Sequence, residues 1–101
     1  MNLIYHPSVR RDVRSILKYY GTQSSRAADR FSAELSKAEG KLETNPTHYH
    51  FISGNLRRLN LGRFPFHMIY EVVDGEVYIL VVRHHRRHPD YGLRRRWPAD
   101  S

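Results

Sequence analysis

The chain has 101 residues, with 17 Lys and Arg against 10 Asp and Glu for a net charge of +7, and is 40% hydrophobic and 27% charged. That describes one globular domain, residues 1–101, whose core buries roughly two-thirds of the surface the unfolded chain exposes. Cysteine is absent, which excludes disulfide and thiol chemistry, and no apolar run approaches the ~20 residues of a membrane span, so the cytoplasm is the expected compartment.

In chain order, residues 2–5 form a short apolar segment, read as a strand, that ends at His6-Pro7. Pro7 and Ser8 supply a helix start, and Val9, Val13, Ile16, Leu17 and Tyr20 recur at helical spacing up to Gly21, a natural stop. The first helix is therefore expected over about residues 7–20. After a connection of about four residues, Ser24 or Ser25 caps a second helix. Its Ala28, Phe31, Leu35, Ala38 and Leu42 step by three and four, and Asn45-Pro46 ends it. So short a link makes the pair an antiparallel helical hairpin.

The period then changes to two. Leu59 and Leu61 share one face of a strand, and Phe66, Met68, Tyr70 and Val72 alternate with His67, Ile69, Glu71 and Val73 in the next. Asp74-Gly75 separates that run from residues 76–82 and favours a type I′ hairpin, in which both turn residues take positive φ. The order β-α-α-β-β-β predicts an α+β fold, the N-terminal strand and helical hairpin packing on a mainly antiparallel four-stranded sheet. A basic tail, residues 83–101, comes after the last strand; its stretch 83–97 carries six Arg against one Asp.

Arg57, Arg58 and Arg63 flank the second predicted strand, near residues 56–62, and Arg83, Arg86 and Arg87 leave the last one. Merged by folding, these guanidiniums would bind phosphate or carboxylate, with Tyr91 as an aromatic neighbour; otherwise they are a solvated surface run. Arg10, Arg14 and Lys18 repeat at i, i+4 on the first helix, where like charges repel and an acidic partner would relieve them; the plainer reading is a polar helix face. His48, His50, His84, His85 and His88 invite a zinc site, but the arginines of the tail would repel a dication, so neither metal nor cofactor is expected. No phosphate-binding Gly-rich loop, paired-carboxylate motif or nucleophile elbow is present, and no small-molecule substrate is expected.

Arg57-Arg58, Arg63-Phe64-Pro65-Phe66, Ile69-Tyr70-Glu71-Val72, Asp74-Gly75, residues 77–82, and His84 with Arg86-Arg87 and Pro89 together resemble the signature of the ParE/RelE toxin superfamily, which includes plasmid-stabilisation systems. Residues 5–7, Val9, Asp12, Ile16, Tyr19-Tyr20, Ala28 and Asn45-Pro46 extend the likeness to about residues 4–92. The resemblance implies a toxin neutralised by an acidic antitoxin that wraps it with a helix and an extended piece. RelE-like members cut mRNA in the ribosomal A site; ParE-like members trap DNA gyrase. Where the RelE-like pattern has a catalytic arginine this chain offers His67; His85 or Arg86 stands near a second, and Tyr91 near a C-terminal tyrosine, so a ribonuclease would use His67, Arg86 and Tyr91. Those departures place the chain nearer the ParE branch, as a non-enzymatic gyrase poison. Its toxic surface would be Arg57, Arg58, Arg63, Arg83, His84, Arg86, Arg87 and Tyr91, and Arg10, Arg14 and Lys18 would bind the antitoxin. A plain nucleic-acid-binding module is the third reading.

Overall fold

A computed structural model describes residues 1–97, so the last four residues of the expected tail lie outside the described residues. The elements are β1 (Leu3–Tyr5), α1 (Val9–Gln23), α2 (Ser25–Thr44), a 3-10 turn (Pro46–His48), β2 (Phe51–Ser53), β3 (Leu56–Asn60), β4 (Phe66–Val73) and β5 (Glu76–His84). They form the expected α+β arrangement, but the sheet has five strands in the order β1-β5-β4-β3-β2. The strand not anticipated is β2, which folds back on β3 through Gly54, at φ 52°. All three of its residues are exposed, so it lacks the alternation by which a half-buried strand is recognised.

The sheet is mixed. β1 runs parallel to β5, and the remaining pairs are antiparallel. At the β4–β5 turn Asp74 has φ 49° and Gly75 φ 77°, both positive as a type I′ turn requires. The helices differ from expectation at their junction. α1 continues through Gly21 to Gln23 because glycine permits a left-handed stop without imposing one. The break is Ser24 alone, extended at φ −172°, whose Oγ accepts the Ala27 N–H at 3.0 Å. The connection is thus one residue, not four.

The helical hairpin covers one sheet face. Val9, Ile16, Phe31, Ala38 and Leu42 pack on Leu59, Leu61, Phe66, Met68, Tyr70, Val77, Ile79 and Val82, with Val13, Leu17, Tyr20 and Leu35 partly buried around them. Tyr20, Phe31, Phe64 and Phe66 form an aromatic cluster whose centroids lie 5.3–6.1 Å apart. The alternate residues Ile69 and Val81 are fully buried as well. They are covered because the chain after β5 returns across the second face, laying Gly92 on Val81. The expected projecting tail is therefore, up to residue 97, a strap, and Arg83 lies inside β5 rather than beyond it.

The strap also completes a sheet edge. β1 is so short that its ladder with β5 ends at Ile79, whose carbonyl accepts the His6 N–H. Past that point the Leu80 carbonyl accepts from Arg95 Nη1 at 3.1 Å, and the Val82 N–H donates to Asp12 Oδ2 at 3.1 Å. Arg95 and Asp12 close the fork between themselves at 2.6 and 2.8 Å. Nearby, His6 Nδ1 accepts from the Ser8 N–H, so its proton sits on Nε2, which donates to the Arg96 carbonyl at 2.7 Å. Trp97 packs edge-on against His6 and Tyr78.

Candidate functional site

Neighbouring strands bring Asn60, His67 and Arg83 into one row, since Asn60 pairs with His67 and His67 with Arg83. Arg58, two residues from Asn60, shares their face. Arg83 Nε donates to His67 Nε2 at 2.9 Å, His67 Nδ1 lies 2.9 Å from His85 Nδ1, and Arg58 Nη2 lies 3.1 Å from the same His85 nitrogen. A guanidinium only donates, and this sets the direction of the whole chain of bonds. His67 Nε2 must accept, its proton sits on Nδ1, that proton is given to His85 Nδ1, and His85 carries its own proton on Nε2. Arg58 Nε also donates to Asn60 Oδ1 at 2.9 Å.

His67, 1% exposed, has its pKa pushed down to about 3, by burial first and then by Arg58, Arg83 and His85. His85 is lowered by burial, Arg58 and His84, and Arg83 by burial and Arg58. The buried Arg83 organises the next loop: its Nη1 donates to the carbonyls of Pro89 at 2.7 Å, Tyr91 at 3.0 Å and His88 at 3.5 Å. In that loop His84 Nδ1 accepts from the Arg86 N–H and His88 Nδ1 from the Asp90 N–H. Every imidazole of the region, in its neutral form, has its acceptor nitrogen engaged. The Arg87 guanidinium lies 3.9 Å over the Tyr91 ring.

The structure thus separates residues that the sequence grouped. Arg58, Arg83 and His85 meet in the cluster with His67, whereas His84, paired with Phe66 and edge-on to its ring, points to the helical face. Arg63 occupies the turn leading to Pro65, whose carbonyl accepts the His85 N–H at 2.9 Å, and Arg86 and Arg87 are exposed in the loop beside it. Tyr91 is half-buried beneath Arg87. Arg57 stands apart. Paired with Tyr70, it points to the helical face, where its Nη1 donates to the Thr47 and Tyr49 carbonyls while its guanidinium lies 3.8 Å over Phe51. Adjacent strand residues face opposite ways, a signal the sequence already contained. His48 and His50 are exposed before β2, and among the described residues no group of three or more His, Asp or Glu side chains is placed to hold a metal ion. Sequence reasoning missed Asn60 and Arg95.

On α1, Arg10 and Arg14 border a groove of about 790 Å³ floored by Val9, Val13, Leu17 and Leu35, with Glu39 on its far side. Lys18, also exposed, does not line it. Burial, and secondarily Glu43, raises the Glu39 pKa.

The histidine chain makes stability pH-dependent. The neutral form of His67 is favoured in the folded state, so its contribution is complete above pH 6.5 and is lost as pH falls toward 3. Urea denaturation of the native chain should show stability declining through that window, and His67→Gln should flatten the decline. An equal decline in the variant would assign the effect to other groups.

No helix among the described residues is long and apolar enough to cross a membrane. The search of curated proteins found no match. Among solved structures, a chain of one described as the chromosomal ParDE TA system from P. aeruginosa superposes with a TM-score of 0.73 at 19% identity, covering 83% of this chain and 95% of that one. At that identity the likeness establishes the fold. The family described as ParE toxin of type II toxin-antitoxin system, parDE, matches residues 3–89, nearly the whole of the α+β unit with its helical hairpin, cationic strands and loop, and this chain belongs to that family.

Proposed function

We propose that this ParE-family toxin poisons DNA gyrase in the cytoplasm by binding rather than by chemistry, and that an acidic antitoxin neutralises it. The observation that carries the non-enzymatic reading is the spent lone pairs of the cluster and the loop beside it: His67, His84, His85 and His88 each use their acceptor nitrogen internally. A general base needs a lone pair within reach of the proton it removes, and here each imidazole offers its environment only an N–H or nothing. For the antitoxin, the groove beside Arg10 and Arg14 has the apolar floor and cationic rim that suit an acidic amphipathic helix.

Arg86→Ala/Arg87→Ala should abolish growth arrest and leave antitoxin affinity unchanged. Arg10→Glu/Arg14→Glu should do the reverse, weakening the antitoxin on the order of 10- to 100-fold as two favourable charges become unfavourable. Full toxicity in the first variant would remove the loop from the toxic surface. The target is read by pulse-labelling after controlled expression: thymidine incorporation should fall before methionine incorporation. A second reading, a ribosome-dependent ribonuclease, draws on one contact, Arg83 joining His67 to the Tyr91 carbonyl. An earlier fall in methionine incorporation would favour it.

A further inference from the structure

The cluster on the second sheet face is a surface of donors with little counter-charge, the loop carboxylate of Asp90 acting on Arg83 from beyond contact distance. Among the described residues the one ion pair is Arg95–Asp12, so Arg58, Arg63, Arg83, Arg86 and Arg87 stand without a carboxylate within salt-bridge distance. Arg58 carries an Nη1 group beyond its two bonds to Asn60 and His85. His85, exposed and with Nδ1 engaged by its neighbours, keeps its proton on Nε2, on the ring edge that they do not hold. Positive groups held this close repel one another, and a bound anion relieves the repulsion.

The kind of anion is indicated by what the patch lacks. Protein interfaces are anchored by large apolar or aromatic side chains at a desolvated centre. Among the described residues the exposed large hydrophobics are Met1, Tyr5, Tyr19, Phe51, Ile52 and Val73; of these Tyr19 lines a cavity with Arg83, Arg87 and Tyr91 on the α1 side, and neither Arg58 nor His85 lines that cavity. Nucleic-acid interfaces are more polar and far more positive, and most of their hydrogen bonds go to the backbone. The Tyr91 ring, covered by Arg87, is not presented to a base.

We propose that Arg58 and His85, flanked by Arg63, Arg86 and Arg87, form a binding site for the phosphodiester backbone of nucleic acid, with His85 acting as a neutral hydrogen-bond donor oriented by His67 and Arg83. The site deepens the gyrase reading and rests on it, since a target that acts on DNA carries phosphates that such a site could meet. It is indifferent to base sequence, because no side chain of the patch is placed to read a base edge.

The test is fluorescence anisotropy of the purified chain with a short labelled duplex, the matching single strand and a polyglutamate peptide, from about 50 to 200 mM salt. Four arginines, Arg63, Arg86 and Arg87 exposed and Arg58 half-buried, predict that log K falls against log salt with a slope of about −3 to −4 on the duplex. Arg58→Ala should lower that slope by about 1, Arg86→Ala/Arg87→Ala by about 2, and Arg58→Lys should restore it. His85→Leu should weaken binding without changing the slope, because a neutral donor is lost, whereas His85→Gln, with an acceptor for its neighbours and an outward N–H, should retain it. Arg10→Ala/Arg14→Ala serves as the control and should leave the slope unchanged. An equal loss in that control would mean attraction by net charge alone and overturn the site, as would polyglutamate binding more tightly than either nucleic acid. Tighter binding of the single strand than the duplex keeps the site and reassigns its form of nucleic acid. Early loss of thymidine incorporation together with absent DNA binding leaves the gyrase reading standing and removes only the phosphate site.

Discussion

Asp12→Ala is expected to destabilise the chain by about 3–5 kcal/mol, the usual loss when one partner of a buried ion pair is removed. Asp12 and Arg95 side chains are 3% and 14% exposed. The carboxylate accepts two guanidinium bonds and the Val82 N–H, which lies on the part of β5 that β1 does not reach. Removing it strands a largely buried cation and a buried amide together. Arg95, whose pKa is raised by its hydrogen bond to Asp12 and then by the carboxylate's charge, with burial opposing, loses its main partner. Urea denaturation reads the loss directly, and a domain of this size should melt on the order of 15–25 °C lower. The double variant Asp12→Ala/Arg95→Ala should be less unstable than Asp12→Ala alone, since no charge is then left buried. A variant as stable as the native chain would show that the pair is dispensable. Trypsin should also cut the Asp12 variant faster at Arg86 and Arg87, because the strap beyond them is no longer tied to α1.

Gly92→Ala is the second large effect, at about 3 kcal/mol, combining a left-handed backbone penalty with overpacking. Gly92 has φ +80°, and a Cβ there would lie 2.6 Å from Val81 Cγ2 and 2.7 Å from Val81 Cβ. Val81 is fully buried and β-branched, so it has no alternative position. Gly62 provides the comparison. It has φ +58°, but its added Cβ would meet the side chain of Glu34, which swings away, leaving the backbone penalty of about 1–2 kcal/mol. Thermal melts should therefore rank Gly92→Ala well below Gly62→Ala, and Val81→Ala should partly rescue the former. Equal losses at the two sites would mean that the strap does not press on the sheet as described.

If Arg86 and Arg87 form the toxic surface as proposed, these residues bear on function, because the strap frames the loop that holds them. Arg83 fixes the start of the loop through three carbonyls, and Gly92, Arg95 and Asp12 fix the strap at its far end. Loss of toxicity in an Asp12 or Gly92 variant would therefore report a displaced loop, whereas Arg86→Ala/Arg87→Ala reports the contact itself. Comparing folded stability with growth arrest across these variants separates the two causes.

Features carried by neighbouring residues were legible in the sequence. The apolar steps of α1 and α2, the alternation along β4 and the Asp74-Gly75 turn depend on periods of 3.6 and 2 and on one dipeptide's φ preference, all of which act over a few residues. They also bear most of the family resemblance, and the family match at residues 3–89 covers much the same stretch. The opposite facing of Arg57 and Arg58 was available to the same period-2 reasoning. Only the tertiary structure decided the rest. β2 gains its place by pairing with β3 rather than by burial, and β1 by a parallel ladder to a strand more than 70 positions away. The Asp12–Arg95 pair spans 83 positions, and charges scattered along a basic chain carry no local mark of which two will be buried together. His67 reads in sequence as the residue standing where the RelE-like pattern has a catalytic arginine; it becomes a neutral, inward-facing link because Arg83 from β5 and His85 just after it fix its proton. Periodicity places a side chain on a face, but its protonation and partners are set by the groups that folding brings against it.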